Sequence, residues 1–135
     1  MKKNGFTLIE LLVTIAIVGI LVGVAYPSYV SYVQDTRRSE AQAALIDLAN
    51  RQEMYYLDHH QYAEDLTDLD KDADPFITKN GYYSIETSSA VKTTVDFTLT
   101  ATAINQQAAD TDCLKMTITH ELNKGATNDN SFCWN

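Results

Sequence analysis

The chain has 135 residues, with 10 Lys and Arg against 18 Asp and Glu, a formal net charge of −8 and an apolar fraction of 45%. That length allows one compact domain plus one extra element. The acidic total repels phosphate backbones and disfavours non-specific nucleic-acid binding, and no serine–histidine–acid or cysteine–histidine arrangement points to an enzyme or a cofactor.

The first five residues, Met1 to Gly5, are short and basic through Lys2 and Lys3. By the positive-inside rule they stay cytoplasmic and leave the C-terminal part outside. From Phe6 to Tyr26 only Thr7, Glu10 and Thr14 are neither apolar nor glycine. As a helix, a run of about 21 residues measures roughly 31 Å, enough to span a bilayer core of about 30 Å. Three ordinary readings compete for such a segment. A secretory signal would be cut after its apolar core, and Gly23-Val24-Ala25 offers a small-x-small site. A signal anchor would stay uncut. A lipoprotein needs a cysteine at the end of the apolar run, where this chain has none.

Glu10 bears on all three. A carboxylate at membrane depth costs about 2.5–3.5 kcal/mol on insertion scales, a cost from which a signal or simple anchor gains nothing. The apolar run itself contains no lysine or arginine. Cleavage between Gly5 and Phe6 would create an α-amine at the right depth to serve as the partner of Glu10 in an assembly.

The stretch Gly5-Phe6-Thr7-Leu8-Ile9-Glu10-Leu11-Leu12-Val13 resembles the type III signal of type IV prepilins and pseudopilins. In that family a membrane aspartyl peptidase cuts after the glycine on the cytoplasmic face and N-methylates the new first residue. The resemblance implies a leader over 1–5 that ends at Gly5, a methylated N-terminus at Phe6 and a transmembrane, filament-core helix over 6–27. It implies a periplasmic or extracellular pilin domain over 28–135 that includes the C-terminal half of the helix. The precursor would sit in the inner membrane and the product in a cell-surface pilus. Its partners would be other pilin subunits, the prepilin peptidase and the inner-membrane assembly platform. Glu10 would set register by taking the Phe6 amine of a staggered neighbour. Gly19 and Gly23 form a Gly-x-x-x-Gly pair before Pro27. Read functionally, they give close helix packing and an extensible stretch; read blandly, membrane helices are simply rich in glycine.

Beyond Pro27 the helical pattern continues. Tyr29, Val33, Ala41, Ala44, Leu45, Leu48, Gln52, Tyr55 and Tyr56 recur at spacings of three and four, with Asp35, Arg38, Glu40, Asp47, Asn50 and Arg51 assigned to the opposite side. One long helix, kinked at Pro27, is expected from about Phe6 to about His59. Between His60 and Gly81 the pattern breaks. Asp68, Asp70, Asp72 and Asp74 alternate as in a calcium loop, but Ala73 stands where glycine is wanted and Lys79 where glutamate is wanted. A solvated acidic loop is the expectation, and Asp58, His59 and His60 read as a wet helix end, not a metal site.

Strand signals follow in Tyr82-Tyr83-Ser84-Ile85-Glu86, in the alternation of Val95, Phe97, Leu99, Ala101 and Ala103 with polar residues, and in Leu114, Met116, Ile118 and His120. Asn123-Lys124-Gly125 reads as a turn. The expected fold is α+β: a long N-terminal helix packed on a small antiparallel sheet with a threonine-rich face outward, the pilin ladle. Cys113 and Cys133 read as an exported, disulfide-bonded pair. They match the C-terminal disulfide loop of type IVa pilins, and the ending Cys133-Trp134 is most like PilE-type minor pilins. A structural subunit of a type IVa pilus, most like a minor pilin that helps initiate or is incorporated in the fibre and supports pilus assembly, adhesion, twitching motility or DNA uptake, is the first functional reading. A major pilin and a type II secretion pseudopilin are alternatives. A fibre-displayed binding module for DNA or a surface is a fourth reading; acidity argues against DNA, although Arg37, Arg38, Arg51 and Lys124 could cluster.

Overall fold

The computed structural model describes residues 5–88, 95–129 and 131–134; the leader lysines Lys2 and Lys3 and the tail residue Asn130 lie outside the described residues. One helix, α1, spans Leu8–His59 and carries Pro27 inside it. Five strands follow: β1 (Phe76–Ile77), β2 (Tyr83–Ser88), β3 (Thr98–Ala103), β4 (Lys115–Thr119) and β5 (Lys124–Ala126). They form one antiparallel sheet in the order β1-β2-β3-β4-β5. The chain divides into two compact units, Met1–Val33 and Gln34–Asn135.

In the second unit the 3.6-residue period decides what α1 buries. Ala41, Leu45, Leu48, Ala49 and Gln52 are buried, on one face. They share a core with Tyr83, Ile85, Phe97, Leu99, Ala101, Met116 and Ile118 from the sheet. Along β3 and β4 burial alternates strictly, so Thr98, Thr100, Thr102, Thr117 and Thr119 stand on the other face. The helix stops at His60, which takes a left-handed φ of 55° and donates its N–H to the Tyr56 carbonyl at 2.8 Å.

Three expectations need correction. Arg38, assigned to the solvated side of the helix, is buried, because it lies three residues before Ala41 and so on the core face. Its Nε and Nη2 donate to the two carboxylate oxygens of buried Asp110 at 2.6 and 2.7 Å, and Nη1 to Asp35 at 2.7 Å. Those hydrogen bonds, donated to the Asp110 carboxylate, raise the Arg38 pKa above its already high ordinary value. The Asn123-Lys124-Gly125 signal also misleads: the turn is over by Asn123, and Lys124 and Gly125 pair with Ile118 and Thr117. A Cβ on Gly125 would fall 2.6 Å from Thr117 Oγ1, so a side chain here would force Thr117 to shift. Finally, β3 begins at Thr98 and not at Val95, which is exposed.

Two further ties close the unit. Gln52 Nε2 donates to the Ala63 carbonyl at 2.9 Å and its Oε1 accepts from Ala63 N–H at 2.8 Å, so one side chain satisfies both groups of a buried peptide position. The Cys113–Cys133 disulfide, with Cα atoms 5.7 Å apart, holds the C-terminal tail.

Removing either cysteine should cost about 3 kcal/mol, the chain-entropy value for a loop of this size, read as a lower denaturation midpoint under non-reducing conditions. Arg38→Met should cost about 3–5 kcal/mol because it leaves Asp110 buried and unpaired. The double variant Arg38→Met with Asp110→Leu should recover most of that loss in the same denaturant titration.

Candidate assembly site

The first helical turn is built by Thr7 and Glu10. Because α1 begins at Leu8, Thr7 is its N-cap residue and Glu10 its third helical residue. Thr7 N–H donates to Glu10 Oε2 at 2.9 Å, and Thr7 Oγ1 donates to the same oxygen at 2.7 Å. The Glu10 N–H donates to Thr7 Oγ1 at 3.3 Å. This is a capping box: the Glu10 carboxylate takes the Thr7 N–H and the Thr7 hydroxyl oxygen takes the Glu10 N–H, so two otherwise unpaired backbone donors are satisfied reciprocally. The signal was present in the sequence as Thr-x-x-Glu ahead of an apolar run. Glu10 therefore has a local partner in addition to any intermolecular one. The donors from Thr7 are neutral, so they hold the carboxylate in place without cancelling its charge.

Around this anion the surface is apolar. Phe6, Ile9, Val13 and Thr14 line a shallow depression with Glu10. From Leu8 to Val24 every large apolar side chain is at least half exposed. Among the described residues, α1 is the one helix long and apolar enough to cross a membrane, and its apolar stretch buries none of itself within the chain. Beyond the helix's own nearby backbone, no atom of the described residues lies within 4 Å of where a Cβ would stand on Gly19 or Gly23, so none of them requires these positions to be small. Pro27 lacks the N–H that would bond to the Gly23 carbonyl, and the helix continues past it.

In the second unit the expected features fall in separate places. Arg38 is committed to Asp110 and Asp35, and Arg51 to Asp47 and Asp70. Arg37 sits 4.3 Å over the Tyr82 ring, and Lys124 5.0 Å over Trp134. The four cations therefore do not form one cluster. In the acidic loop Asp65 caps a short 3-10 turn by accepting from Thr67 N–H, and Asp74 accepts from Leu66 N–H. His59 stacks on Tyr55 at 3.9 Å. No group of three or more Asp, Glu, His or Cys side chains among the described residues is arranged to hold a metal ion. The disulfide tail is tied to the helix by Gln42 Nε2, which donates to the Cys133 carbonyl at 2.8 Å, and to β5 by Trp134 Nε1, which donates to the Gly125 carbonyl at 2.8 Å.

Comparison with known proteins agrees with this arrangement. A family model described as "Type IV minor pilin ComP, DNA uptake sequence receptor" matches residues 27–117, more than half of the chain. A second, described as "Prokaryotic N-terminal methylation motif", matches residues 1–26. The chain is 36% identical over 110 residues to a type IV major pilin protein PilE1 of Neisseria gonorrhoeae, covering 78% of this chain and 62% of that protein. It is 34% identical over 61 residues to the type II secretion system core protein G of Escherichia coli, covering 45% of this chain and 42% of that protein. The chain thus spans less than two thirds of the length of these curated relatives. Its fold is similar to that of a type IV pilin from Shewanella oneidensis, with a TM-score of 0.56 at 20% identity over 76% of this chain and 98% of that one. The exposed apolar helix, the small antiparallel sheet, the disulfide-closed tail and the two family matches make this chain a member of the type IV pilin family, among the minor pilins that the first of those models describes.

Proposed function

We propose that this chain is a minor pilin of a type IV pilus and that it serves DNA uptake. The observation that carries the reading is the match over 27–117 to the minor pilin family described as a DNA uptake sequence receptor. The methylation-motif match over 1–26 supports a precursor held in the inner membrane, cut between Gly5 and Phe6 by the prepilin peptidase and methylated on Phe6. The helix over 6–27 is then the filament core, and the rest of the chain is displayed at the cell surface. The assembly platform extracts the helix from the membrane. Since lipid and neighbouring helices cover the same apolar area at about 25 cal/mol per Å², the exchange is close to neutral and needs that machinery to drive it. The role is structural and recognitive, not catalytic.

In the fibre the Glu10 carboxylate, already oriented by Thr7, takes the Phe6 amine of a neighbouring subunit. The pair neutralises a charge that would otherwise stand in a dry helix bundle. Gly19 and Gly23 admit close approach of adjacent helices, because no other described residue fills the space beside them.

A second reading, that of a major pilin, is favoured by the curated relatives named as major pilins. Removing the chain from its cell separates the two. For a minor pilin serving uptake, fibres persist while import of fluorescent DNA falls at least tenfold; loss of all fibres supports the major pilin. Glu10→Leu should still insert in the membrane, as read by membrane fractionation, yet be depleted at least tenfold from sheared fibres. Normal incorporation of that variant removes the proposed role of Glu10.

A further inference from the structure

Between Ala25, where the apolar run ends, and Asp35, the next charged residue, lies a stretch of a different kind. Residues 26–34 read Tyr-Pro-Ser-Tyr-Val-Ser-Tyr-Val-Gln and carry no charge. Three of the chain's eight tyrosines fall within seven of these positions. Periodicity groups Tyr29 with the residues that cover the sheet, but that buried face begins at Arg38. Tyr26, Tyr29 and Tyr32 stand 68%, 67% and 71% exposed.

All three lie in α1 at steps of three residues. Each step rises about 4.5 Å and turns the helix by about 300°. The three rings therefore fan over roughly 120° of one side and about 9 Å of the axis. A tyrosine joins an apolar ring to a hydroxyl that needs a polar partner, so it is best placed where hydrocarbon meets water. Ser28 and Ser31 add hydroxyls at the same level. A bilayer has a hydrocarbon core of about 30 Å inside a total of about 40–45 Å, which leaves an interfacial layer of about 5–8 Å on each side. Two lengths favour that layer over another protein as the occupant of this face. The tyrosines cover about the depth of one interfacial layer, and the twenty residues 6–25 before them measure about one hydrocarbon core, roughly 30 Å.

We propose that Tyr26, Tyr29 and Tyr32 form a collar that docks in the outer interfacial layer of the bilayer and sets the depth of the helix before assembly; the proposal rests on the reading of this chain as a membrane-held precursor. The partner is the glycerol and headgroup region of the lipid, which accepts the hydroxyls while the rings rest against the upper acyl chains. With the collar in that layer, Phe6 lies about 30 Å below Tyr26. The Gly5–Phe6 bond then stands at the opposite, cytoplasmic interface, where the proposed cut is made. Sliding the helix inward would bury three hydroxyls in hydrocarbon, and sliding it outward would bring apolar residues into water; both moves are opposed.

The test reads the depth of a tryptophan reporter in the full-length precursor, reconstituted in phosphatidylcholine vesicles whose acyl chains carry bromine either near the glycerol or near the bilayer centre. The unaltered chain, whose one tryptophan is Trp134, gives the baseline to subtract. Tyr29→Trp should be quenched about twofold more by the shallow bromines than by the deep ones, and Val18→Trp, in the middle of the apolar run, should show the reverse order. If Val18→Trp is quenched from the centre while Tyr29→Trp is quenched there equally, or by neither lipid, the collar is overturned and the membrane reading survives. If Val18→Trp is not quenched by the deep bromines, the membrane reading fails and the collar with it. Shallow quenching of Tyr29→Trp that disappears as protein is concentrated in the vesicles marks a second copy as the occupant and overturns the proposal. In the same vesicles with the prepilin peptidase, replacing all three tyrosines by serine should slow release of the leader about fivefold or more, and replacing all three by tryptophan should restore it, because tryptophan favours the same layer. Equal cleavage of the serine variant overturns the depth-setting role.

Discussion

An apolar helical stretch that no other described residue covers is the constraint on which the rest of this protein depends. Large aliphatic side chains from Leu8 to Val24 stand at least half exposed, and each such side chain is worth roughly 1.5–3 kcal/mol when buried. None of the other described residues supplies that burial, which leaves a surface that lipid or other helices would have to cover. Glu10 restricts the choice further. Thr7 satisfies part of its hydrogen-bonding capacity with an N–H and a hydroxyl at 2.9 and 2.7 Å. Those neutral donors orient the carboxylate, and its charge remains to attract a cation of the same depth. In the proposed fibre, this oriented anion at the start of an apolar helix is the group that takes another helix's amino terminus.

The second unit is organised to be a stable block carried by that helix. Arg38 and Asp110 join α1 to the segment between β3 and β4 in a buried, two-pronged ion pair. Gln52 joins the same helix to the chain just after it ends, and Gln42 joins it to the disulfide-held tail. Each tie satisfies a polar group that burial would otherwise penalise by about 1–3 kcal/mol. Polar side chains of the helix, together with its apolar stripe, thus fix where the sheet and tail sit on it. The exposed remainder is left for recognition.

The parts of this arrangement that depend on period were legible in the sequence. The long helix, the alternation of Leu99, Ala101 and Ala103 with threonines, and the matching alternation in β4 all follow from spacings of 3.6 and 2. The parts that depend on long-range partners were not. Arg38 reads as a surface residue until Asp110, 72 positions away in sequence, is brought against it. Gly125 reads as a turn residue until Thr117 is seen to approach it. The two-residue strand β1 has too short a period to register at all. At the proposed assembly site, Gly5, Phe6 and Glu10 are assigned from local chemistry, the resemblance of the first residues to a prepilin signal. The capping role of Thr7 was equally local, and was passed over because Glu10 was weighed only as a buried charge.

The fibre role proposed for this chain begins with a cut that frees the Phe6 nitrogen and keeps the apolar helix attached. Mass spectrometry of the N-terminal peptide of this chain, taken from sheared fibres, tests that directly. The account predicts a peptide that begins at Phe6 and carries one added methyl group; a peptide that begins at Met1 or at Tyr26 contradicts it.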